Sequence, residues 1–300
     1  MKILLAIDST GPSQPVVNEI LSRPWPKDTE FAAVHVVNVF DLAQFPTLVE
    51  EERRRGNSAL EAVSLRFCGA GFNLTHQLLV GSPKQEINEF ARRWAADLVV
   101  VGSHGHSAIA RLLVGSVAQG VLRSAPCSVE IVRLDAAGTV RSAHSMKILL
   151  ATDGSGYSNA AARSVAARVW PADSELRIMS VAELPPILPN QMTDASLSAI
   201  YPQSLLQELT LFAETQAEEA VQKAREILRG SSVRVAEAAF TLIGDARLAI
   251  LDEAKDWGAD LIVLGAHGRH GLARVLLGSV SESVAVHAHC SVEVIRLPAS

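Results

Sequence analysis

Short, continuous runs of apolar residues alternate along this chain with longer amphipathic stretches. The first run, Lys2 to Ile7, is followed by similar runs at Phe31 to Val37 and Leu98 to Val101. Runs of this length are typical of parallel strands that are buried on both faces of a sheet. Strands that alternate with helices predict right-handed βαβ units and a parallel sheet. We therefore predict an α/β fold.

The whole pattern occurs twice. The opening segment, Met1 to Asp8, matches Met146 to Asp153, and the segment that starts at Cys127 matches the one that starts at Cys290. The second copy is longer in its middle, and we place the extra residues in the proline-rich stretch 184–202. We predict two tandem, doubly wound, five-stranded parallel-sheet domains of the Rossmann-like type. They occupy residues 1–135 and 146–300, with a small polar linker at 136–145.

Composition narrows the class of protein. Of the 300 residues, 48% are apolar and 20% are charged, which suits a globular chain, and the net charge of −5 argues against nucleic-acid binding. Neither an export signal nor a run long enough to cross a membrane is evident, so we expect a cytoplasmic protein without a membrane partner. The three cysteines lack a C-x-x-C pair. Cys127 and Cys290 are predicted to be small buried residues, and a redox pair between the repeats is the alternative.

A glycine motif ends the fourth predicted strand of each copy. It reads Gly102-Ser103-His104-Gly105, nine residues, Gly115-Ser116, and then Gly265-Ala266-His267-Gly268, nine residues, Gly278-Ser279. Glycines that lead from a strand into a helix N-terminus favour phosphate binding, because main-chain N–H groups can approach an anion there. The alternative is a plain tight turn. Neither a P-loop nor a G-x-G-x-x-G fingerprint is present.

Other polar residues extend this candidate site. Asp8 and Asp153 each follow the first strand of their copy, so they should lie in the same crevice as the glycines, at the carboxyl ends of the strands. His104 and His267 are interpreted as hydrogen-bonding loop residues, with a general base as the alternative. His287 and His289 have no evident third ligand, so no zinc site is predicted.

These motifs resemble the universal stress protein family, in its ATP-binding subgroup, and the resemblance covers nearly all of both halves. It implies the strand order 3-2-1-4-5 and ATP, or AMP or ADP, bound at the strand ends, with or without Mg²⁺. It also implies roles for individual residues. Asp8 and Asp153 would line the adenosine pocket, the main chain of Val36 and Val181 would meet adenine, and ribose and phosphates would be held by Gly102, Gly105, Gly115, Ser116, Gly265, Gly268, Gly278 and Ser279.

The two copies differ after the second glycine, where His106 stands in the first and Arg269 in the second. Arginine is always charged and can grip phosphate, whereas neutral histidine grips it less. We therefore predict tighter nucleotide binding in the second half.

The resemblance also implies that edge strands pair two domains. The last strands, 128–134 and 291–297, are edge strands in this topology, so the halves should form a pseudo-dimer within one chain. A further homodimer is left open.

Three functions are compatible with these features. The first is an ATP-binding stress-response or regulatory protein with little or no turnover and an unidentified protein partner. The second is a slow ATPase or an enzyme that transfers AMP or phosphate, although no arginine-finger arrangement is present. The third is an interaction scaffold that binds no nucleotide.

Overall fold

The computed structural model describes residues 1–9, 13–39, 44–103, 114–133, 145–183, 202–236, 240–269 and 277–297. Nearly all of the predicted linker, 136–145, and of the insertion 184–202 lies outside these ranges. Within them, no helix combines the length and the apolar character that crossing a membrane requires.

Strands and helices alternate in both halves, so the predicted α/β class is confirmed. The first half consists of β1 (Lys2–Ala6), α1 (Ser13–Leu21), β2 (Glu30–Val37), α2 (Pro46–Gly69), β3 (Leu74–Val80), α3 (Pro83–Trp94), β4 (Leu98–Gly102), α4 (Ser116–Ser124) and β5 (Ser128–Val132). The second consists of β6 (Lys147–Ala151), α5 (Gly156–Ala166), β7 (Glu175–Ala182), α6 (Gln203–Ile227), β8 (Arg234–Val235), β9 (Phe240–Ile243), α7 (Ala246–Trp257), β10 (Leu261–Gly265), α8 (Ser279–His287) and β11 (Ser291–Ile295).

One prediction about the second half needs correction. Five strands are predicted for each domain, and in the second half two short strands, β8 and β9, stand where one third strand would give that number. Both pair in parallel with β7, at different points along it. The third-strand position is therefore filled in two pieces, separated by residues outside the described ranges.

All the strands belong to one sheet, in the order β3-β2-β1-β4-β5-β11-β10-β6-β7-β8, with β9 also on β7. The strands pair in parallel within each half. The halves meet where β5 and β11 pair antiparallel, with Glu130 opposite Glu293. The pairing of the two last strands within the chain, expected above, is thus present, and neither strand is left as an open edge.

The helices cover both faces of this sheet, but the two faces are packed differently. On one face, α3, α4, α7 and α8 share a single apolar core that runs across the junction of the halves. On the other face, α1 and α2 enclose one apolar core, and α5 and α6 enclose a second, separate one. The halves are therefore joined by continuous apolar packing on the first face alone.

Two arginines fasten the halves reciprocally. Arg133, which follows β5, donates through Nη2 to the carbonyls of Ala285 (3.1 Å) and Val286 (2.6 Å) in the last helix of the other half. Arg296, which follows β11, donates in the same way to the carbonyls of Leu122 (2.7 Å) and Arg123 (3.2 Å). A cation that binds the carbonyls at a helix C-terminus also meets the negative end of the helix dipole.

Cys127 and Cys290 lie directly before the last strands, β5 and β11. Cys290 is buried and Cys127 is half-buried, and both are free thiols. Burial raises the pKa of the Cys127 thiol to about 12. A protonated thiol is a poor nucleophile, which favours a packing role for Cys127 over redox exchange.

Candidate functional site

A tight turn follows β6, at the carboxyl end of the sheet in the second half. The Oδ1 atom of Asp153 accepts the N–H of Ser155 at 3.0 Å, and the Ser155 hydroxyl accepts the N–H of Ser158 at 3.2 Å. Ser155 is therefore the N-cap of α5. Gly154, between them, has a φ of +77°, a backbone conformation in which glycine has no steric penalty.

The Asp153 carboxylate also reaches the glycine loop that follows β10. Its Oδ2 atom accepts the N–H of Arg269 at 3.0 Å. A side chain on Gly268 would place its Cβ 2.9 Å from the same oxygen and would have to displace the carboxylate. Because β6 and β10 are neighbouring parallel strands, their carboxyl ends bring Asp153, Gly268 and Arg269 together.

The Arg269 side chain bridges the loop to α6. Its Nε atom donates to the Asp153 carbonyl, and its two Nη groups donate to the side-chain oxygen and, at 3.0 Å, the carbonyl of Gln216. These three acceptors are all neutral. The Asp153 carboxylate, which accepts the main-chain N–H of Arg269, lies beside this guanidinium group. Sequence reasoning missed Gln216, whose position on a long polar helix carries no distinguishing signal.

The first glycine of this motif has a packing role. A Cβ on Gly265 would lie 2.7 Å from the Tyr157 carbonyl carbon and 2.8 Å from the Ser158 nitrogen. Glycine here allows the first turn of α5 to sit directly on β10, which brings the Ser155 cap to the loop.

His267 packs into the same corner. Its ring lies 4.8 Å from that of Tyr157, centroid to centroid, and its carbonyl accepts the Ser155 hydroxyl at 3.4 Å. Burial, with a smaller contribution from the Arg296 charge, lowers the pKa of His267. The ring is therefore a neutral packing group at pH 7.

The last glycine of each motif fixes the start of a helix. The N–H of Gly278 donates to the Ala266 carbonyl at 2.8 Å, and α8 begins at the next residue, Ser279. In the first half the N–H of Gly115 donates to the Ser103 carbonyl, also at 2.8 Å, and α4 begins at Ser116. The first N–H groups of a helix have no acceptor within it and form its positive end. Both helices thus present hydrogen-bond donors at the carboxyl edge of the sheet.

A family comparison agrees with this arrangement. The model of the "Universal stress protein family" matches residues 1–133 and again residues 144–296. This chain belongs to the universal stress protein family. The two matches correspond to the two copies of the repeat.

Several universal stress proteins are similar to this one over different lengths. Universal stress protein Rv2005c of Mycobacterium tuberculosis is 28% identical over 299 residues, which cover 90% of this chain and 88% of the relative. Universal stress protein MJ0531 of Methanocaldococcus jannaschii is 30% identical over 138 residues, 44% of this chain and 81% of the relative. Among solved structures, a universal stress protein of Archaeoglobus fulgidus covers 98% of both chains with a TM-score of 0.65 and 21% identity. The tandem fold is therefore shared with other members of the family.

The first half of this universal stress protein can be described in part. Gly105 and His106, together with His104, lie outside the described residues. Asp8 and Gly102 stand at the carboxyl ends of β1 and β4, which are neighbours in the sheet. Beside Asp8, the Ser9 hydroxyl donates to the Glu52 carboxylate of α2 at 3.2 Å. The turn after the first strand is thus fastened to a carboxylate here, whereas in the second half it is fastened through Arg269.

The two valines expected near adenine occupy matching positions. Val36 lies near the end of β2, opposite Leu79 of β3, and Val181 lies near the end of β7, opposite Leu242 of β9. Both are half-buried. Their main chain is engaged in the sheet, and both side chains pack against the apolar core that the halves share.

The described residues contain no group of three or more histidine, cysteine or acidic side chains that could hold a metal ion. His287 lies in the last turn of α8, and its Nδ1 atom contacts the Ser283 carbonyl at 2.8 Å.

Proposed function

We propose that this universal stress protein binds ATP, or AMP or ADP, at the carboxyl edge of the sheet in each half, with little or no turnover. In the cytoplasm it would act as a nucleotide-dependent regulator in the stress response, with a protein partner still to be identified. Two such chains could associate further, since the junction within the chain does not use the outer strands β3 and β8.

The observation that carries this proposal is the repeated helix start at the sheet edge. In both halves a strand-end carbonyl holds the glycine N–H, so the next N–H groups of α4 and α8 are fixed in place. Fixed donors at a positive helix end suit the phosphates of a nucleotide. The glycine loop approaches the Asp153 carboxylate closely at Gly268. This carboxylate is the polar group that we propose for the nucleoside.

The second site should bind polyphosphate more tightly than the first. Arg269 places a positive charge beside the loop, and its guanidinium group donates to the neutral oxygens of Gln216. In the first half, the matching turn is hydrogen-bonded to the carboxylate of Glu52. A negative charge at the site entrance repels phosphate, and a positive one attracts it.

Matched substitutions at the two helix starts test this proposal. Ser279→Glu and Ser116→Glu each place a carboxylate where phosphate would bind, and glutamate in the first turn is compatible with a helix. Ser204→Glu makes the same change in the first turn of α6, away from either site, and serves as the control. Each full-length variant is titrated calorimetrically with ATP and Mg²⁺ after removal of carried-over nucleotide.

We expect two sites in the unsubstituted chain and in the control. Ser279→Glu should remove the tighter site, and Ser116→Glu should remove the weaker one. Release of phosphate is followed in the same samples. Steady multiple turnover would show that the protein is a slow ATPase and not a regulator with little or no turnover. Absence of both binding heat and carried-over nucleotide in the unsubstituted chain would refute the ATP proposal. That result would favour an interaction scaffold that binds no nucleotide.

A further inference from the structure

The junction between the halves is ionic on the face of the sheet where apolar packing is interrupted. Along β5, Val129 and Ile131 belong to the continuous core, whereas Glu130 points to the opposite face. Along β11, Val294 belongs to that core and Glu293 points away from it. The two carboxylates are therefore neighbours on the face that carries α1 and α5, between the two separate apolar cores.

Five charged residues meet there, and we call them the seam cluster. Arg23, after α1, donates to both carboxylate oxygens of Glu130 (2.9 and 2.5 Å) and also to Glu19. Arg168, after α5, donates to both oxygens of Glu293, one of them at 2.6 Å. The side chains of Glu130 and Glu293 are 0% exposed, that of Arg23 is 2% exposed, and those of Glu19 and Arg168 are each 11% exposed.

The seam cluster is not symmetric, although the halves are. Glu19 forms an i,i+4 pair with Arg23, and the matching position before Arg168 is Ser164, whose hydroxyl accepts from Arg168 Nη2 at 2.9 Å. The seam cluster thus contains three carboxylates and two guanidinium groups. The largest charge effects on Arg23 and Glu130 come from members of this set. Each carboxylate contacts a guanidinium group, but the negative charges exceed the positive ones by one in a nearly dry location, where an excess charge is costly.

We propose that the seam cluster is a proton-binding site, which takes up a proton when the chain folds and so makes the stability of the joined halves depend on pH. The odd carboxylate, Glu19, supplies the excess charge that the proton neutralises. In agreement, burial raises the pKa of Glu130; the charges of Glu293 and Glu19 act in the same direction, and Arg23 opposes them.

The sign of the effect follows from linkage. A folded chain that holds more protons than the unfolded chain loses stability as pH rises. Each proton taken up changes the unfolding equilibrium constant by up to about tenfold per pH unit. The loss covers the range above the ordinary glutamate pKa, up to the pH at which the seam cluster releases its proton.

The difference between Glu19 and Ser164 suggests the variants that test this proposal. Glu19→Ser gives the first half the residue of the second and leaves two carboxylates for two guanidinium groups. Ser164→Glu gives the second half the residue of the first and adds a fourth carboxylate. Glu61→Gln removes an exposed carboxylate from α2 and is the control. Urea unfolding of each full chain is measured between about pH 5 and pH 8 without nucleotide.

The quantity compared is the unfolding equilibrium constant of the unsubstituted chain divided by that of Glu19→Ser. We expect this ratio to increase with pH by up to about tenfold per pH unit. Ser164→Glu should make the pH dependence steeper, and Glu61→Gln should leave it unchanged. Stability curves for the unsubstituted chain and Glu19→Ser that run parallel across this range would overturn the proposal. So would a Ser164→Glu variant that loses stability equally at every pH, because that result would indicate a steric effect.

Discussion

Gly265 is the position at which the glycine motif is most directly tied to the fold. A Cβ there would approach the Tyr157 carbonyl carbon to 2.7 Å and the Ser158 nitrogen to 2.8 Å. Both are main-chain atoms in the first turn of α5, so no side-chain rotation can relieve the contact. The Gly265→Ala variant must therefore push α5 away from β10.

The size of this effect can be worked out from the contact distances. Ordinary Cβ contacts begin at 3.4 Å, so the helix start has to move by roughly half an ångström or more. Overpacking of a tight core typically costs 1–3 kcal/mol, and we expect about 2 kcal/mol here. That loss lowers the melting temperature by about 4–8 °C, at the 2–4 °C per kcal/mol usual for chains of this size class. The displaced Ser155 cap should also weaken ATP binding.

Gly156→Ala provides the matched control. Gly156 is the first residue of α5, its φ is not positive, and a Cβ on it would meet nothing within 4 Å. Alanine there should stabilise the chain by about 0.4–1 kcal/mol, because it restricts the unfolded state. Thermal unfolding of both variants is followed by circular dichroism. A Gly265→Ala variant with the same melting temperature as the unsubstituted chain would refute the packing role assigned to this glycine.

Two further predictions concern charged and titratable groups. Arg23→Ala leaves the buried Glu130 carboxylate without its bidentate partner and should cost about 3–5 kcal/mol in urea unfolding. Arg54→Ala breaks an exposed pair with Glu51 and should leave the urea midpoint nearly unchanged, and equal losses in the two variants would contradict the importance of burial. Because burial lowers the pKa of His267, the stability that its neutral ring provides is present above the ordinary histidine pKa and is lost as pH falls. Acidification should therefore destabilise the unsubstituted chain more than His267→Gln, as measured by urea unfolding at about pH 7 and pH 5, and identical losses in the two chains would contradict this assignment.

Much of the fold could be predicted because the strands are short and almost entirely apolar. Buried parallel strands leave polar residues at their carboxyl ends, which is why Asp153 and the Gly268 loop could be expected to meet before any contact was known. The repeat strengthened this inference, since both copies place an aspartate and a glycine motif after corresponding strands.

The seam cluster could not be predicted in this way. Glu130 stands in an apolar strand, and its partner Arg23 lies 107 residues earlier, after a different helix. The sequence pattern places the glutamate on one face of the strand, but it does not show which helix packs over that face or which residue extends from its end. The bond between Arg269 and Gln216 was missed for the same reason, because it depends on how α6 packs against the loop.

Arg269 in the second glycine loop packs closely against Gly154 in the turn after β6. A Cβ on Gly154 would lie 3.2 Å from the Ala220 Cβ and 3.3 Å from the Arg269 Nη2 atom, and the positive φ of Gly154 disfavours any other residue. The first half has Ser9 at this position, with its hydroxyl bonded to Glu52. The turn is therefore held by different residues in the two halves: Gly154 lies beside the loop residue Arg269 in one, and Ser9 is bonded to Glu52 of α2 in the other. The strands beneath are nearly identical in sequence, so the proposed difference in phosphate affinity between the two sites rests on this difference in charge beside the turn.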